Sequence, residues 1–363
     1  MLRASNASTM KEQNKRLILN LIRQNEYSRA DLAKITKLTK AAVTIIVEAL
    51  INDGLVSETK SPGKGIGRRP LILKLNENRL MAVGVNITRS FAEVGIADIG
   101  GNIICTKRLP SLPKEKVLEE IIHAIPRMIE ENHIAAEDIY GIGVTTPGPV
   151  DASAAVILNP PNFDEWHYEN IGLTFQGILD RKVYLENISG GLTLCEKYFG
   201  IAQKMDNFLV LIVDDGIGSG IMLSEKLFRH ISELGHTSIR YDGIPCECGN
   251  FGCVEKYASI PAILRGTGYS SWKEVIDADD RKLIDKEARY LACTVINAVN
   301  SFSVENVILE GAVTYKPEEL LKQISDRIKC NRIARKAPVL YSGSEYKGIL
   351  CAAVTVFDNY LNK

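Results

Sequence analysis

No run of about eighteen apolar residues occurs in this sequence, so no membrane-spanning helix is expected. The first residues, MLRASNASTMKEQNKR, lack the apolar core of a secretory signal. A cytoplasmic protein is therefore expected, one in which disulfides are out of place. Net charge is missing too: 44 Lys+Arg stand against 44 Asp+Glu. That zero conceals an uneven distribution. Residues 1–80 carry 15 Lys+Arg and 7 Asp+Glu, a balance of +8, while the remainder carries 29 and 37, a balance of −8. A basic first part joined to an acidic body implies two different partners, and nucleic acid is the natural one for the first. Hydrophobic residues make up 45% and charged residues 24% of the 363, which suits two or three globular domains with real cores.

Of eight cysteines, three crowd into one Gly-rich stretch with a histidine, GHTSIRYDGIPCECGNFGC, residues 235–253. Zn²⁺ prefers tetrahedral His/Cys coordination. His236, Cys246, Cys248 and Cys253 would make a closed structural site with no position left for water. Such an ion clamps a loop and catalyses nothing. The alternatives are ordinary buried cysteines or a disulfide, and a Cys-x-Cys pair is poorly placed to bridge to itself. Cys105, Cys195, Cys293, Cys330 and Cys351 are scattered, mostly in apolar contexts that fit core packing.

Three short helical patterns open the chain. Leu17, Ile18, Leu21 and Ile22 form one apolar stripe. Ser28, with Asp31 three residues on, predicts the start of a second helix whose Leu32, Ala33 and Ile35 face inward. Thr39 predicts the cap of a third, with Val43, Ile46, Val47 and Leu50 inward and Gly54 as its stop. The short turn Thr36-Lys37-Leu38 has the spacing of a helix-turn-helix. Two strand-like runs, residues 54–59 and 70–75, flank Lys60-Ser-Pro-Gly-Lys-Gly-Ile-Gly-Arg-Arg-Pro70, which has four cations and no acid. This reads as the wing of a winged helix-turn-helix. Thr39, Lys40, Ala41 and Thr44 would lie near the start of the recognition helix, with Ile45 and Glu48 further along its outer face. Arg68 and Arg69 would enter a narrow minor groove, and Lys37, Lys60 and Lys64 would meet phosphates.

From Leu80 onward strands alternate with helices. Strands are predicted at residues 81–86, 91–97, 102–107, 139–145, 183–186, 208–213, 220–223 and 306–310, and a helix at about residues 114–133. A three-strand group followed by helix–strand alternation occurs twice, which predicts two α/β lobes with a cleft between them.

Particular motifs then carry a resemblance: Gly143-Val-Thr-Thr-Pro-Gly-Pro-Val-Asp151, Pro160-Pro-Asn162, Glu186-Asn187, Gly216-Ile-Gly-Ser-Gly220, Glu233-Leu-Gly-His236 and Cys246-Glu-Cys-Gly-Asn-Phe-Gly-Cys-Val-Glu255. From about Met81 to its end the chain resembles the ROK family of repressors and sugar kinases. The order and spacing of the His/Cys cluster are the specific part. The resemblance implies a two-lobed, actin-like (ribonuclease-H-like) ATPase fold over residues 79–363. A winged helix-turn-helix in residues 1–78 is the arrangement of the family's repressor branch, that of xylose- and N-acetylglucosamine-type repressors.

The departures separate repressor from kinase. In the family's kinases the residue after the Asn matched by Asn187 is an Asp that takes the proton of the sugar hydroxyl; here it is Ile188, and an alkyl group takes no proton. The kinases carry an Asp and a Gly-Gly-Thr turn where this chain has Asn86-Ile-Thr-Arg-Ser90. Their second phosphate turn, Gly-Thr-Gly, reads Asp214-Asp215-Gly216, and two carboxylates repel a triphosphate. No catalytic residue is therefore assigned. Sugar-binding roles map onto Asn187, Glu233, His236 and Glu255, with Asn162 and the Pro147-Gly148 turn beside them, and amide and carboxylate groups suit a polyol. Glu233 and Glu255 have the alternative of merely supporting the metal loop. The expectation is a repressor of sugar-utilisation genes that binds an inverted-repeat operator as a homodimer or tetramer, answers to a monosaccharide or its derivative, contains structural Zn²⁺ and contacts no membrane. Its rivals are an ATP-dependent sugar kinase and a regulator whose cleft binds nothing.

Overall fold

The computed structural model describes residues 7–60, 71–229, 233–343 and 348–362. The chain forms two compact units. The first comprises Met1–Thr145, Asn170–Leu185 and Gly348–Lys363; the second comprises Thr146–Glu169 and Glu186–Lys347. The expected boundary between residues 78 and 79 falls inside the first unit, in the single turn Glu77–Arg79.

The chain opens with three helices: α1 (Ala7–Gln24), α2 (Arg29–Thr36) and α3 (Lys40–Asn52). Helix α2 begins as its residues predict. The Asp31 N–H donates to Ser28 Oγ (3.2 Å), and the Ser28 N–H donates back to Asp31 Oδ2 (3.1 Å), so two orphan donors are satisfied at once. Helix α3 is capped by Thr39, whose Oγ1 accepts from the Ala42 N–H at 3.2 Å. It buries Val43, Ile46, Val47 and Leu50 and is followed by Gly54 in the left-handed region (φ 73°). Strands β1 (Val56–Lys60) and β2 (Leu71–Leu75) pair antiparallel from Val56↔Leu75 to Lys60↔Leu71. Two details correct the sequence reading. In α1 the buried side chains are Ile18, Leu19 and Ile22, and Leu17 is exposed. In α2 Ile35 is 47% exposed, because an eight-residue helix turns only one edge, that of Leu32, fully inward.

The first sheet is built from β3 (Met81–Ile87), β4 (Ala92–Asp98), β5 (Ile103–Leu109), β6 (Ile139–Thr146) and β9 (Val183–Asn187). Between them come α4 (Lys114–Glu131), the small pair β7 (Val150–Asp151) and β8 (Val156–Ile157), and α5 (Ile171–Leu179). The strand order is β5-β4-β3-β6-β9; β4 runs antiparallel to β3 and β5, and β6 runs parallel to β3.

The pattern then repeats. Helix α6 (Ile188–Tyr198) leads to β10 (Phe208–Val213), β11 (Ile217–Leu223) and β12 (Lys226–Leu227). After the His/Cys loop come α7 (Glu255–Ala258), α8 (Ile260–Leu264), α9 (Trp272–Asp277) and α10 (Arg281–Phe302), then β13 (Asn306–Glu310), α11 (Glu318–Lys329), β14 (Val339–Tyr341) and α12 (Gly348–Asn362). The second sheet has the order β12-β11-β10-β13-β14, with β10 antiparallel to β11 and parallel to β13. Counted along the chain, each sheet is third-second-first-fourth-fifth. Strands β10 and β13 read as unbroken apolar runs because a central parallel strand is covered on both faces. The core over this sheet gathers Leu209, Leu211, Val307 and Leu309 with Trp272, Leu291 and Val295 from the helices.

Helix α12 lies on the first sheet at backbone contact. A Cβ on Gly143 would stand 1.9 Å from the Ala352 carbonyl oxygen, and one on Gly84 would stand 2.2 Å from that of Ile349, so any side chain at either position would lift the helix off the sheet.

Candidate functional site: a metal-ligand cluster and its neighbours

The metal-ligand cluster starts at a single helical turn, Leu234–His236, laid against β11. Gly235 makes this possible, since a Cβ there would stand 2.3 Å from the Ile217 carbonyl oxygen. Beyond it the chain makes a narrow ribbon. The Ile239 N–H donates to the Gly252 oxygen (2.9 Å), the Gly252 N–H to the Ile244 oxygen (2.8 Å) and the Cys246 N–H to the Asn250 oxygen (2.8 Å). Gly252 has φ 67° and runs so close to Arg240 that a Cβ would stand 1.6 Å from its carbonyl oxygen. This folding brings the ligand atoms of His236, Cys246, Cys248 and Cys253 within 4.8 Å of one another, a set that can hold a metal ion. His236 Nδ1 is 3.5 Å from Cys246 Sγ, and Cys248 Sγ is 3.7 Å from Cys253 Sγ. A disulfide needs about 2.05 Å, and all three thiols are free of one. Burial, with the other two thiols, pushes Cys253 up to about 12. A divalent cation reverses that preference and makes such sulfurs thiolates. Lys256 Nζ holds the Glu247 carboxylate at 2.7 and 2.9 Å, which ties the Cys246–Cys248 corner to α7.

Of the expected ligand residues, Asn187 and Glu233 are brought together beside Gly148. Asn187 ends β9 and caps α6, its Oδ1 accepting from the Gly190 N–H at 2.6 Å. The place a Cβ of Gly148 would fill lies 3.2 Å from Asn187 Cβ, 3.6 Å from its Nδ2 and 3.4 Å from Glu233 Oε1, so Asn187 and Glu233 face one small space beside the Pro147-Gly148 turn. Burial pushes the Glu233 carboxyl above its ordinary range, Glu255 adds to the shift and His236 opposes it, which places all three within electrostatic reach. Glu255 begins α7, and its Oε2 accepts from the Ile217 N–H at 2.8 Å. One oxygen of Glu255 is thus engaged by the backbone of β11. Asn162 stands exposed with a left-handed backbone (φ 55°), and no side-chain hydrogen bond among the described residues joins it to the other four.

The positions that matter for phosphoryl transfer look different. Ile188 is the first residue of α6. Asn86 is buried, its Oδ1 accepting from Thr145 Oγ1 (3.0 Å) and its Nδ2 donating to Glu93 Oε1 (3.0 Å), so both ends of the amide are engaged. Asp214 Oδ1 accepts from the Ala312 N–H at 3.0 Å, and burial raises its carboxyl, with Asp215 adding to the shift. Sequence reasoning missed a buried acid pair. Burial and the Glu196 carboxyl push Glu310 up to about 8. The available signal was an acid closing an apolar strand buried from Val307 onward, Asn306-Val-Ile-Leu-Glu310.

On the outer side of α3, Lys40, Ala41 and Ile45 are exposed and Thr44 is half-buried, with Lys37 and Thr39 exposed just before it. Glu48 on the same side meets Arg29 (3.4 Å), which also holds Glu58 of β1 (2.8 Å). Lys64, Arg68 and Arg69 lie outside the described residues. None of the described helices is long and apolar enough to cross a membrane.

The sequence profile of the ROK family matches residues 82–342. The xylose repressor of Caldicellulosiruptor bescii is 29% identical over 356 residues, covering 89% of each chain. Among solved structures, a ROK family transcriptional regulator, a homologue of the E. coli MLC protein, superposes with a TM-score of 0.82 at 23% identity, covering 97% of this chain and 96% of that one. A ROK family glucokinase from Streptomyces griseus, in complex with glucose and AMPPNP, superposes with a TM-score of 0.60 at 25% identity, covering 75% of this chain and 98% of its own.

Proposed function

The chain belongs to the ROK family, and from that premise we propose that it is a cytoplasmic DNA-binding repressor of sugar-utilisation genes, controlled by a monosaccharide and without enzymatic activity. The observation that carries the reading is a pairing: a ligand cluster in which Asn187 and Glu233 share one space, directly followed in sequence by Ile188 where a proton acceptor is needed. The likeness to a xylose repressor over 89% of both chains supports control by a sugar.

Residues 1–78 act as a winged helix-turn-helix. Helix α3 enters the major groove with Lys40, Ala41 and Thr44 near its start, Lys37 and Thr39 at its entry, and the basic segment holding Lys64, Arg68 and Arg69 as the wing. A homodimer presents two such heads to an inverted repeat. In the body, Asn187 Nδ2, Glu233, the free oxygen of Glu255 and His236 Nε2 bind sugar hydroxyls, since His236 turns its other nitrogen toward the thiols.

The metal is Zn²⁺ in a structural role. A tetrahedral ion with Zn–S near 2.3 Å and Zn–N near 2.05 Å would space its ligand atoms about 3.8 Å sulfur to sulfur and about 3.6 Å sulfur to nitrogen. The Cys248–Cys253 and Cys246–His236 separations in the structure are 3.7 and 3.5 Å. Three thiolates and one imidazole close the coordination shell, so the ion holds the loop that carries His236 and precedes Glu255, and takes no substrate. Control requires the sugar to bind the DNA-free state more tightly than the DNA-bound one, because equal affinity shifts nothing.

The test is fluorescence anisotropy of a labelled promoter duplex with a panel of monosaccharides and their phosphates. One sugar should lower the anisotropy. Steady ADP release from ATP with any sugar would instead establish the kinase reading, against which Ile188, Asn86 and Asp214 stand.

A further inference from the structure

Helix α1 packs on α12, and a cation and an aromatic ring meet there. The Arg16 guanidinium carbon lies 5.8 Å from the centre of the Tyr360 ring, within the reach of a cation–aromatic attraction. Its neighbour Lys15 pairs with Asp53, whereas no ion pair among the described residues engages Arg16. The Tyr360 ring meets the Tyr140 ring edge-on, with centroids 4.7 Å apart at 70°, a favourable arrangement. Burial pushes the Tyr140 hydroxyl up to about 12, and Tyr360 adds to the shift. Burial also raises Tyr360 and Tyr184, and the Arg16 charge opposes it at both, so the guanidinium is within electrostatic reach of the two rings. Behind this contact α12 lies tightly along β6. The Ala352 carbonyl oxygen stands 1.9 Å from the place of a Cβ on Gly143, Val356 Cγ1 stands 2.9 Å from that of a Cβ on Gly141, and one turn on Tyr360 meets Tyr140. Packing at these distances leaves the helix no room to slide on the strand. Strand β6 runs from Ile139 to Thr146 and continues into the Pro147-Gly148 turn; its neighbour β9 runs from Val183 to Asn187. Each strand therefore has a tyrosine of this group at its second position and leads to the proposed ligand residues at its end.

We propose that Arg16, laid over Tyr360 and backed by Tyr140, is the positioning residue that seats the operator-binding head on the strands leading to the ligand site, and that the sugar response passes through this contact. This role rests on the proposed sugar site at Asn187 and Glu233 and on the proposed DNA-binding use of residues 1–78. Arg16 touches neither sugar nor DNA in it. A sugar that displaces β6 or β9 carries Tyr140, Tyr184 and Tyr360 with it, and α1 follows while Arg16 is held on Tyr360. Without that hold α1 keeps its apolar packing but loses its register on α12. The sugar-free and sugar-bound forms then present the head more alike, and a ligand shifts operator binding only by the difference between the two states.

The experiment is a double-mutant cycle on the full-length, metal-loaded protein with Arg16→Gln, Tyr360→Leu and the double variant, beside the conservative Arg16→Lys and Tyr360→Phe. The main readout is the ratio of operator Kd with and without a saturating sugar, using whichever sugar of the panel acts on the wild type. The sugar-induced rise in Tm reports the sugar's own binding. A third readout needs no sugar: amide hydrogen exchange of α1 in the free protein. Arg16→Gln and Tyr360→Leu should each shrink the ratio by about fivefold, the measure of a contact of roughly 1 kcal/mol. The double variant should be no worse than the worse single one, and Lys and Phe, which keep the cation and the ring, should keep most of the response. The sugar-induced Tm rise should match the wild type in every variant, and α1 exchange should quicken with Gln and Leu but not with Lys and Phe. A wild-type ratio in both Arg16→Gln and Tyr360→Leu, additive losses in the double variant, or a lost Tm rise would overturn the proposal. If no sugar acts on the wild type, the functional reading fails, and α1 exchange still decides whether Arg16 seats the head. Should Tyr360→Leu fail to fold, Arg16→Gln set against Arg16→Lys decides it in the same way, because Arg16 is only half-buried.

Discussion

Near the His/Cys loop and at the strand ends the chain places the same kinds of side chain, carboxylates and amides, and uses them in opposite ways. Beside the loop, Asn187 Nδ2 and Glu233 Oε1 face a common space at Gly148. At the ends of β3 and β10 the corresponding groups are consumed internally: Asn86 lies between Thr145 and Glu93, and Asp214 accepts from the Ala312 N–H. On the proposed reading, recognition of a polyol is thereby separated from chemistry on a phosphate. One set of polar atoms faces a shared space, while the Asn86 amide and one oxygen of Asp214 are engaged within the protein, where a new partner would have to displace an existing bond.

The comparison breaks most visibly if the loop is not metal-held. Stripping the metal, or replacing Cys253 with Ser, is expected to cost several kcal/mol, on the scale of structural zinc sites, read as a large drop in Tm together with loss of bound metal. An unchanged Tm would leave the loop region with no special support. A smaller but still clear effect is expected from Asn86→Asp. Restoring an acid there sets a carboxylate 3.0 Å from Glu93 Oε1 in a buried place, and the unpaired acceptors should cost about 1–3 kcal/mol in urea unfolding. Adding Ile188→Asp should not raise ADP release above background, since Asp214 and Asp215 remain.

In the head, Thr39→Ala removes the cap of α3 and should cost about 1 kcal/mol, with weaker operator binding and no change at the metal cluster. The last effect concerns pH. Glu310 is held protonated up to about 8, against about 4.3 when unfolded, so its contribution is whole below about pH 4.3 and is lost as pH rises through about 8. The wild-type Tm should therefore fall more steeply than that of Glu310→Gln over this window. Parallel profiles would mean that burial and Glu196 do not hold the proton.

Local rules made much of this legible in advance. Ser28, Thr39 and Gly54 mark helix ends through bonds that involve only near neighbours, and all three stand where those rules put them. Strands β10 and β13 showed as apolar runs with the observed limits, Phe208–Val213 and Asn306–Glu310. Other features depend on partners distant in sequence. Helix α12 is buried on nearly every side and so shows no polar stripe to reveal its period. Strand β14 is three residues long, too short for any alternation to register. Ile35 reads as a core residue because it is apolar at a helical spacing, but it lies on an edge of α2 that stays 47% exposed. At the site, His236 and the three cysteines were readable from residue type and spacing, whereas the ties of Glu255 to Ile217 and Asp214 to Ala312 run between segments 38 and 98 residues apart and follow only from the folded sheet. Asn162 matched a motif but is exposed on its turn, without a bond to the rest of the set.

The central claim is that this chain recognises a sugar without transforming it and passes the result to DNA. The most direct test puts metal-loaded protein, labelled operator duplex, ATP·Mg²⁺ and a titrated sugar in one cuvette, following anisotropy and ADP together. One sugar is expected to release the duplex while ADP stays at background; sugar-dependent ADP formation, or a duplex that no sugar releases, would contradict this.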